Sequence, residues 1–365
     1  MEEKGKKGRM DYTLLLIVVL LVVIGLVILY STSAYNGQVK FHDSFYYLKK
    51  QAFATVLGIV LMLFVAGMDY HIWQRLAVFG YLAAVALSVA VMLFGREING
   101  SKRWLALGPF SFQPSEFAKV ALILFLADLV TKNVKTIGKM WTLCRIMFWI
   151  LPIVGLVGAS NLSTAIIILG IGVILIFVAS PKYAQFALMG IAGACFMGIF
   201  LALESYRLER LAIWRNPEKY KKGYQTLQGL YAIGSGGVFG VGIGNSVQKL
   251  GFVPEAQNDM IFSIICEELG LFGAICLILL FILLIWRMMV IANNARDLYG
   301  SLLVIGVMSH IAIQVILNIA VVTNSLPNTG VILPFISYGG TSIIFLMAEI
   351  GLVLSVSRGI RLENV

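Results

Sequence analysis

With 59% hydrophobic and only 13% charged residues over 365 positions, against about 25% charged in an average soluble domain, the chain is excluded from the water-soluble globular class. The composition is that of an integral membrane protein. Its net charge of +10 belongs to tails and loops, and nucleic acid is not among the expected partners.

A helix crossing the hydrocarbon core takes roughly 20 apolar residues, and such segments lie near 12–34, 48–67, 76–94, 116–131, 142–159, 164–180, 184–203, 260–286, 300–322 and 342–357. The expected fold is all-α, a single polytopic membrane domain over 1–365 with about ten transmembrane helices. As one helix, 142–180 would be roughly 58 Å long, about twice a bilayer core. A hairpin through Ser160–Thr164 is therefore expected. Lys4, Lys6, Lys7 and Arg9 ahead of the first span imitate a secretory signal, but the apolar run is too long and nine further spans follow. The first helix reads as uncleaved, with 1–11 and 358–365 as cytoplasmic tails. Half of the 28 Lys and Arg fall on each side of this topology; the short loops and basic N-terminal tail, which count most under the positive-inside rule, favour it.

The polar segments between spans carry the rest of the information. The longest, 204–258, is an extracellular loop between spans seven and eight, and loops of that length are usually functional or disordered. The segment 323–341, with Asn324, Pro327, Asn328, Gly330, Pro334, Gly339 and Gly340, is too apolar for a solvated loop and too broken for a plain helix. Such re-entrant backbone survives at membrane depth when it packs on protein or lines a water-filled cavity. Gly234 to Gly244 looks like a nucleotide loop but lacks the following Gly-Lys-Ser/Thr and a preceding strand. His42, His71 and His310 make no metal spacing. Cys144, Cys195, Cys266 and Cys276 lie in or beside spans, so four free thiols are expected.

Four outward-facing strings stand out: Asn99 to Trp104 with Gln113-Pro114-Ser115-Glu116 and Lys119; Glu204-Ser205-Tyr206-Arg207; Gly242 to Lys249, running on to Pro254–Phe262 and Glu267–Gly270; and Leu333 to Ser342. In this order they resemble the SEDS family of shape, elongation, division and sporulation proteins, over essentially the whole chain. The string Gly244-Asn245-Ser246-Val247-Gln248-Lys249 is similar to the division and sporulation types rather than the elongation type. Gln257, Asn258 and Met260 replace the His, Thr and Phe common in proteobacterial members. Asn161-Leu162-Ser163-Thr164 stands where many members carry Pro-Asp-Leu-Gly-Thr, so no role of that Asp carries over.

The resemblance implies a ten-helix peptidoglycan glycosyltransferase of the bacterial cytoplasmic membrane, acting at the septum. It would polymerise lipid II with a class B penicillin-binding protein and other divisome proteins. By motif, Asp259 matches the catalytic aspartate and Glu204 the implicated glutamate. Joining the sugars requires an acceptor hydroxyl to attack an anomeric carbon while a polyprenyl diphosphate leaves, and one carboxylate can take the hydroxyl proton for a gain of roughly 100- to 10,000-fold. A desolvated position, or Glu255 or Glu204 nearby, would raise the Asp259 pKa. The same aspartate also suits the N-cap of a helix starting at Met260. For the leaving diphosphate, Arg103, Lys119, Arg207, Arg210 and Lys249 are the candidate cations; Lys119 leads because an unpaired ammonium inside a span is costly, and Glu116 three residues earlier is its natural helix partner. A divalent cation such as Mg²⁺ or Mn²⁺ bridging a carboxylate to diphosphate is compatible with these residues, and the sequence leaves it open.

A lipid II flippase and a non-catalytic divisome scaffold are the competing functions. Transport by rocking bundles favours midplane polar groups and internal repeats. Glu349 is the one carboxylate well inside a span, no repeat is visible, and the polar strings cluster on the outer side, which favours chemistry there.

Overall fold

Short polar residues set the helix ends. Asp11 accepts the Leu14 N–H at 2.9 Å to open α1 (Tyr12–Phe41), Asp69 caps α3 (Tyr70–Phe94), and Asp297 caps α9 (Leu298–Val322). Each side chain satisfies a backbone donor that a helix start leaves open. In this computed structural model, residues 10–98, 101–107, 110–180, 182, 185–187, 190, 191, 193 and 212–360 are described. The remaining long elements are α2 (Tyr46–Gly67), α4 (Pro114–Asn133), α5 (Met140–Ser160), α6 (Leu162–Ala179), α8 (Ile261–Asn293) and α10 (Gly340–Ser357), with a shorter α7 (Tyr224–Ser235) in the long loop.

Among the described residues eight helices are long and apolar enough to cross a membrane. The ninth expected span is α4, more polar because Glu116, Lys119, Asp128 and Lys132 lie on it, yet largely buried. The expected span at 184–203 falls largely outside the described residues. α9 and α10 are the most enclosed spans, whereas α3 and α8 turn large apolar residues such as Phe79, Phe94, Phe272 and Leu279 outward.

The 142–180 run breaks as expected. The Asn161 N–H closes α5 on the Val157 carbonyl at 2.7 Å, and its side chain opens α6 by accepting from Thr164 N at 3.3 Å. Two features depart from expectation. The segment after α3 is a small antiparallel sheet rather than plain loop: β1 (Arg96–Ile98) pairs with β2 (Ser101–Leu107), which pairs with β3 (Phe110–Phe112). Its Phe-Ser-Phe alternation has the strand period of two, too short a run to stand out beside the helical spans. The span expected at 260–286 extends to Asn293 and is broken at Gly270, whose φ of 69° and ψ of −169° leave the helix.

The break at Gly270 explains the glycine-rich run. In an unbroken helix the N–H groups of Leu271 and Phe272 would bond the carbonyls of Glu267 and Glu268. Instead Leu271 N donates to Gly237 O (2.9 Å) and Phe272 N to Val238 O (3.0 Å), while the freed carbonyls accept from Val241 N (3.0 Å) and Gly242 N (2.9 Å). The loop is spliced into the helix, so every group opened by the break is paired. The approach demands glycine: a Cβ on Gly270 would lie 2.3 Å from Gly240 N, and one on Gly240 would lie 2.2 Å from Glu268 O.

Side chains lock the same junction. The Glu267 carboxylate accepts from Ser246 Oγ and Val247 N, and Glu268 accepts from Ser31 Oγ (2.7 Å) and Lys249 Nζ (2.6 Å). Lys249 and Glu268 are 5% and 0% exposed, so removing one partner strands a buried charge. Lys249→Ala is expected to destabilise the protein by about 3–5 kcal/mol, and Lys249→Met combined with Glu268→Leu to recover much of that loss. Thermal unfolding in detergent checks this, and equal losses in the single and double variants would refute a coupled pair.

Candidate active site

Two irregular segments, both opposed by the local sequence to regular helix, are joined by one amide. Asn318 of α9 donates from Nδ2 to the Asp259 carbonyl at 2.8 Å and to the Val331 carbonyl at 2.7 Å. A second tie runs from Tyr338 N to the Gln257 carbonyl at 2.9 Å. The turn that ends in Asp259 is thereby fixed to the broken segment before α10, which packs inward through Val331, Leu333, Phe335, Ile336 and Ser337.

Between these segments and helices α2, α4, α6 and α10 lies a cavity of about 1330 Å³. It collects Asp259, Glu255 and Glu116 with Arg103, Lys119, Lys49, Lys50 and Lys222, and aromatic rings including Trp104, Trp214 and Tyr338. The long loop folds against the broken segment here, with Trp214 Nε1 donating to Asn324 O at 2.9 Å and Asn328 Nδ2 to Gln225 Oε1 at 3.3 Å.

Asp259 faces this cavity ahead of α8. The helix takes Met260 as its N-cap residue with no side-chain cap bond, so the carboxylate is not committed to capping. Its Oδ1 accepts from Gln225 Nε2 at 3.4 Å. Although its outer surface meets the cavity, protein surrounds it below the rim. That burial, with the Glu255 charge adding to it and the Gln225 bond opposing it, pushes its pKa up to about 6. Glu255 sits at φ 49°, a left-handed conformation unusual for a non-glycine residue, and accepts from Asn258 Nδ2 at 2.8 Å.

The candidate cations separate. Lys119 Nζ lies 2.8 Å from Glu116 Oε1 and donates to Gln314 Oε1 at 3.3 Å, at the cavity floor. Arg103 also lines the cavity, with Nε on the Ser160 carbonyl at 2.9 Å. Lys249 does not line it: its ammonium is held by Glu268 and Ser31 at the α8 break, and this corrects its expected place among the substrate-facing cations. Glu204, Arg207 and Arg210 lie outside the described residues.

Gln225, Gln314 and Asn318 were not among the residues expected from sequence. The last two had a signal: His310, Gln314 and Asn318 recur every fourth residue, a polar stripe on one face of an otherwise apolar helix. Glu349, unassigned from sequence, pairs with His310 at 2.7 Å. Cys144, Cys266 and Cys276 are free thiols, and Cys195 lies outside the described residues. Among the described residues no three His, Cys, Asp or Glu side chains converge as a metal cage; one carboxylate with substrate phosphates is the arrangement a divalent cation would need here.

This arrangement has relatives. The FtsW/RodA/SpoVE profile, described as a cell cycle protein, matches residues 12–362. Stage V sporulation protein E of Bacillus subtilis is 40% identical, covering 97% of this chain and 98% of its own. A probable peptidoglycan glycosyltransferase FtsW of Trichlorobacter lovleyi is 36% identical over 96% and 94% of the two chains. A chain from a peptidoglycan synthase complex that coordinates polymerization and crosslinking superposes with a TM-score of 0.82 at 30% identity, covering 96% of this chain and 98% of that one. The Rod shape determining protein RodA of Thermus thermophilus follows at 0.72 and 28%, with 96% and 97% covered. A profile match over nearly the whole length, with relatives that share both sequence and fold, makes this chain a member of the FtsW/RodA/SpoVE family of multi-pass membrane proteins.

Proposed function

We propose that the cavity is the catalytic centre of a peptidoglycan glycosyltransferase and that Asp259 is its general base. The activity class follows from full-length relatives named peptidoglycan glycosyltransferases at 33–36% identity. The observation that supports the base is a carboxylate with a pKa near 6, uncommitted to the helix cap, inside a cavity that also holds Arg103 and Lys119. A base poised near the working pH is ionised enough to act and still basic enough to take a proton.

In the reaction, an acceptor sugar hydroxyl gives its proton to Asp259 as its oxygen forms a bond to the anomeric carbon of the donor. The bond from that carbon to the polyprenyl diphosphate breaks, and the electron pair leaves with the diphosphate, inverting the centre. Cations at the floor and wall stabilise the charge that develops on the leaving group. Because diphosphate leaves readily, one carboxylate suffices, whereas glycosidases need a second as acid. Lipid II is the substrate by this reading, and a class B penicillin-binding protein the crosslinking partner. The cavity end of the bundle faces outward and both termini the cytoplasm, at the division septum.

Asp259→Asn should lower polymerisation of lipid II by the purified protein by about 100- to 10,000-fold while thermal stability holds. A rate near wild type would eliminate Asp259 as the general base, whereas no polymerisation by the unaltered protein would favour a flippase or scaffold. The pH profile gives a separate reading. The base works only when ionised, so kcat/KM should fall about tenfold per pH unit below a midpoint of about 6; an acid limb centred near 4 would show that burial does not tune this carboxylate. For topology, a cysteine at the exposed position Lys221 should react with a membrane-impermeant thiol reagent in spheroplasts, and labelling only after lysis would invert the orientation.

A further inference from the structure

Behind Lys119 runs a chain of buried polar groups that proton abstraction by Asp259 does not use. Gln314 Nε2 donates to the Ile332 carbonyl of the broken segment at 3.0 Å, which turns its Oε1 toward Lys119 Nζ (3.3 Å) and His310 Nε2 (2.8 Å). His310 Nδ1 lies 2.7 Å from Glu349 Oε2. Glu116, Lys119, His310, Gln314 and Glu349 are all 6% exposed or less.

Hydrogen-bond roles in this chain are fixed by chemistry. An amide oxygen only accepts, so His310 Nε2 must carry a hydrogen. One further proton is shared between Nδ1 and Glu349, giving either an imidazolium facing a carboxylate or a neutral imidazole accepting from a carboxylic acid. Both forms are neutral as a pair, which makes a carboxyl tolerable at that depth. Lys119 and Glu116 balance each other in the same way. The chain therefore places a directional donor behind Gln314 without adding net charge beside the ammonium.

We propose that the Glu349–His310 pair is a positioning device for Lys119: it fixes Gln314 Oε1, and through it the ammonium that holds the diphosphate of the lipid-linked substrate. This rests on the glycosyltransferase reading above. Lys119 and Gln314 line the cavity whereas His310 and Glu349 do not, so the pair acts through Gln314. A lysine ammonium is a point charge on a flexible stem; acceptors on α4 and α9 hold it from two sides. Because Gln314 also bonds Ile332, the same amide keeps the ammonium in register with the cavity wall. A misplacement of about 1 Å at such a site costs about 100-fold in rate.

The two halves of the imidazole can be tested apart. In His310→Asn the amide nitrogen stands near the Nδ1 position and keeps the donor to Glu349 but loses the one to Gln314. In His310→Gln it stands near Nε2 and keeps the donor to Gln314. With full-length protein and lipid II, His310→Asn should lower kcat/KM by about 10- to 100-fold, His310→Gln should recover part of it with the remainder marking the lost Glu349 contact, and the loss should vanish in a Lys119→Ala background, as non-additivity requires of coupled residues. Binding of undecaprenyl diphosphate, read from the fluorescence of Trp104 and Trp214, should weaken in His310→Asn and Lys119→Ala alike. Additive losses, equal behaviour of the two His310 variants, or wild-type polymerisation by Lys119→Ala would each overturn the proposal. Should the His310 variants fail to fold, Gln314→Leu enters the same cycle with Lys119→Ala, where a coupled loss supports the positioning device and an additive one overturns it. Asp259→Asn measured alongside keeps the ideas separate: if it is inactive while the cycle is additive, the base stands and the positioning device falls; if it is active while the cycle is non-additive, the reverse holds.

Discussion

The two N–H groups of the Asn318 amide hold the cavity together. One carries the carbonyl of Asp259 and the other that of Val331, so a single side chain on a regular helix fixes two stretches of irregular backbone against each other. Carbonyls buried in an apolar bundle have no water to turn to and cost several kcal/mol each when left open. Asn318 answers two of them at once, and the position of the Asp259 carboxylate follows from where its own backbone is pinned. The Tyr338–Gln257 bond repeats the device one step away.

The same demand shapes the break in α8. A helix interrupted at Gly270 opens two donors and two acceptors in an apolar setting, and the glycine-rich segment closes all four. Glycine is needed because backbone lies against backbone, not because a ligand is cradled there. This accounts for a run that imitates a nucleotide loop, and it places the turn leading to Asp259 by anchoring its preceding residues to the helix through Glu267 and Glu268.

Buried lysines meet two different fates in this framework. Lys249 is consumed by Glu268 and Ser31 in a closed ion pair, a structural use that leaves it nothing to offer a substrate. Lys119 is also paired, but at the floor of the cavity, with a neutral amide as its second partner. Each ammonium has one carboxylate and one neutral oxygen as partners, but only that of Lys119 lines the cavity where an anion can reach it. Location relative to the cavity, not residue type, separates the two roles.

Sequence alone determined the membrane solvent, nine of the expected spans among the described residues, and the turn proposed to carry the chemistry. Apolar runs of membrane length can be satisfied only by spanning helices, and the order of polar strings identified the family and singled out Asp259. The Ser160–Thr164 break was legible because a single helix there would have been twice too long. What tertiary structure decided were the relations between distant segments. That Lys249 belongs to Glu268 and Lys119 to the cavity, that Gln225 and Asn318 attend Asp259, and that Glu349 pairs with His310 all depend on contacts between helices remote in sequence. The stripe of His310, Gln314 and Asn318 could be read as one helical face, but its partners could not, because periodicity fixes which residues share a face and only packing fixes what that face meets.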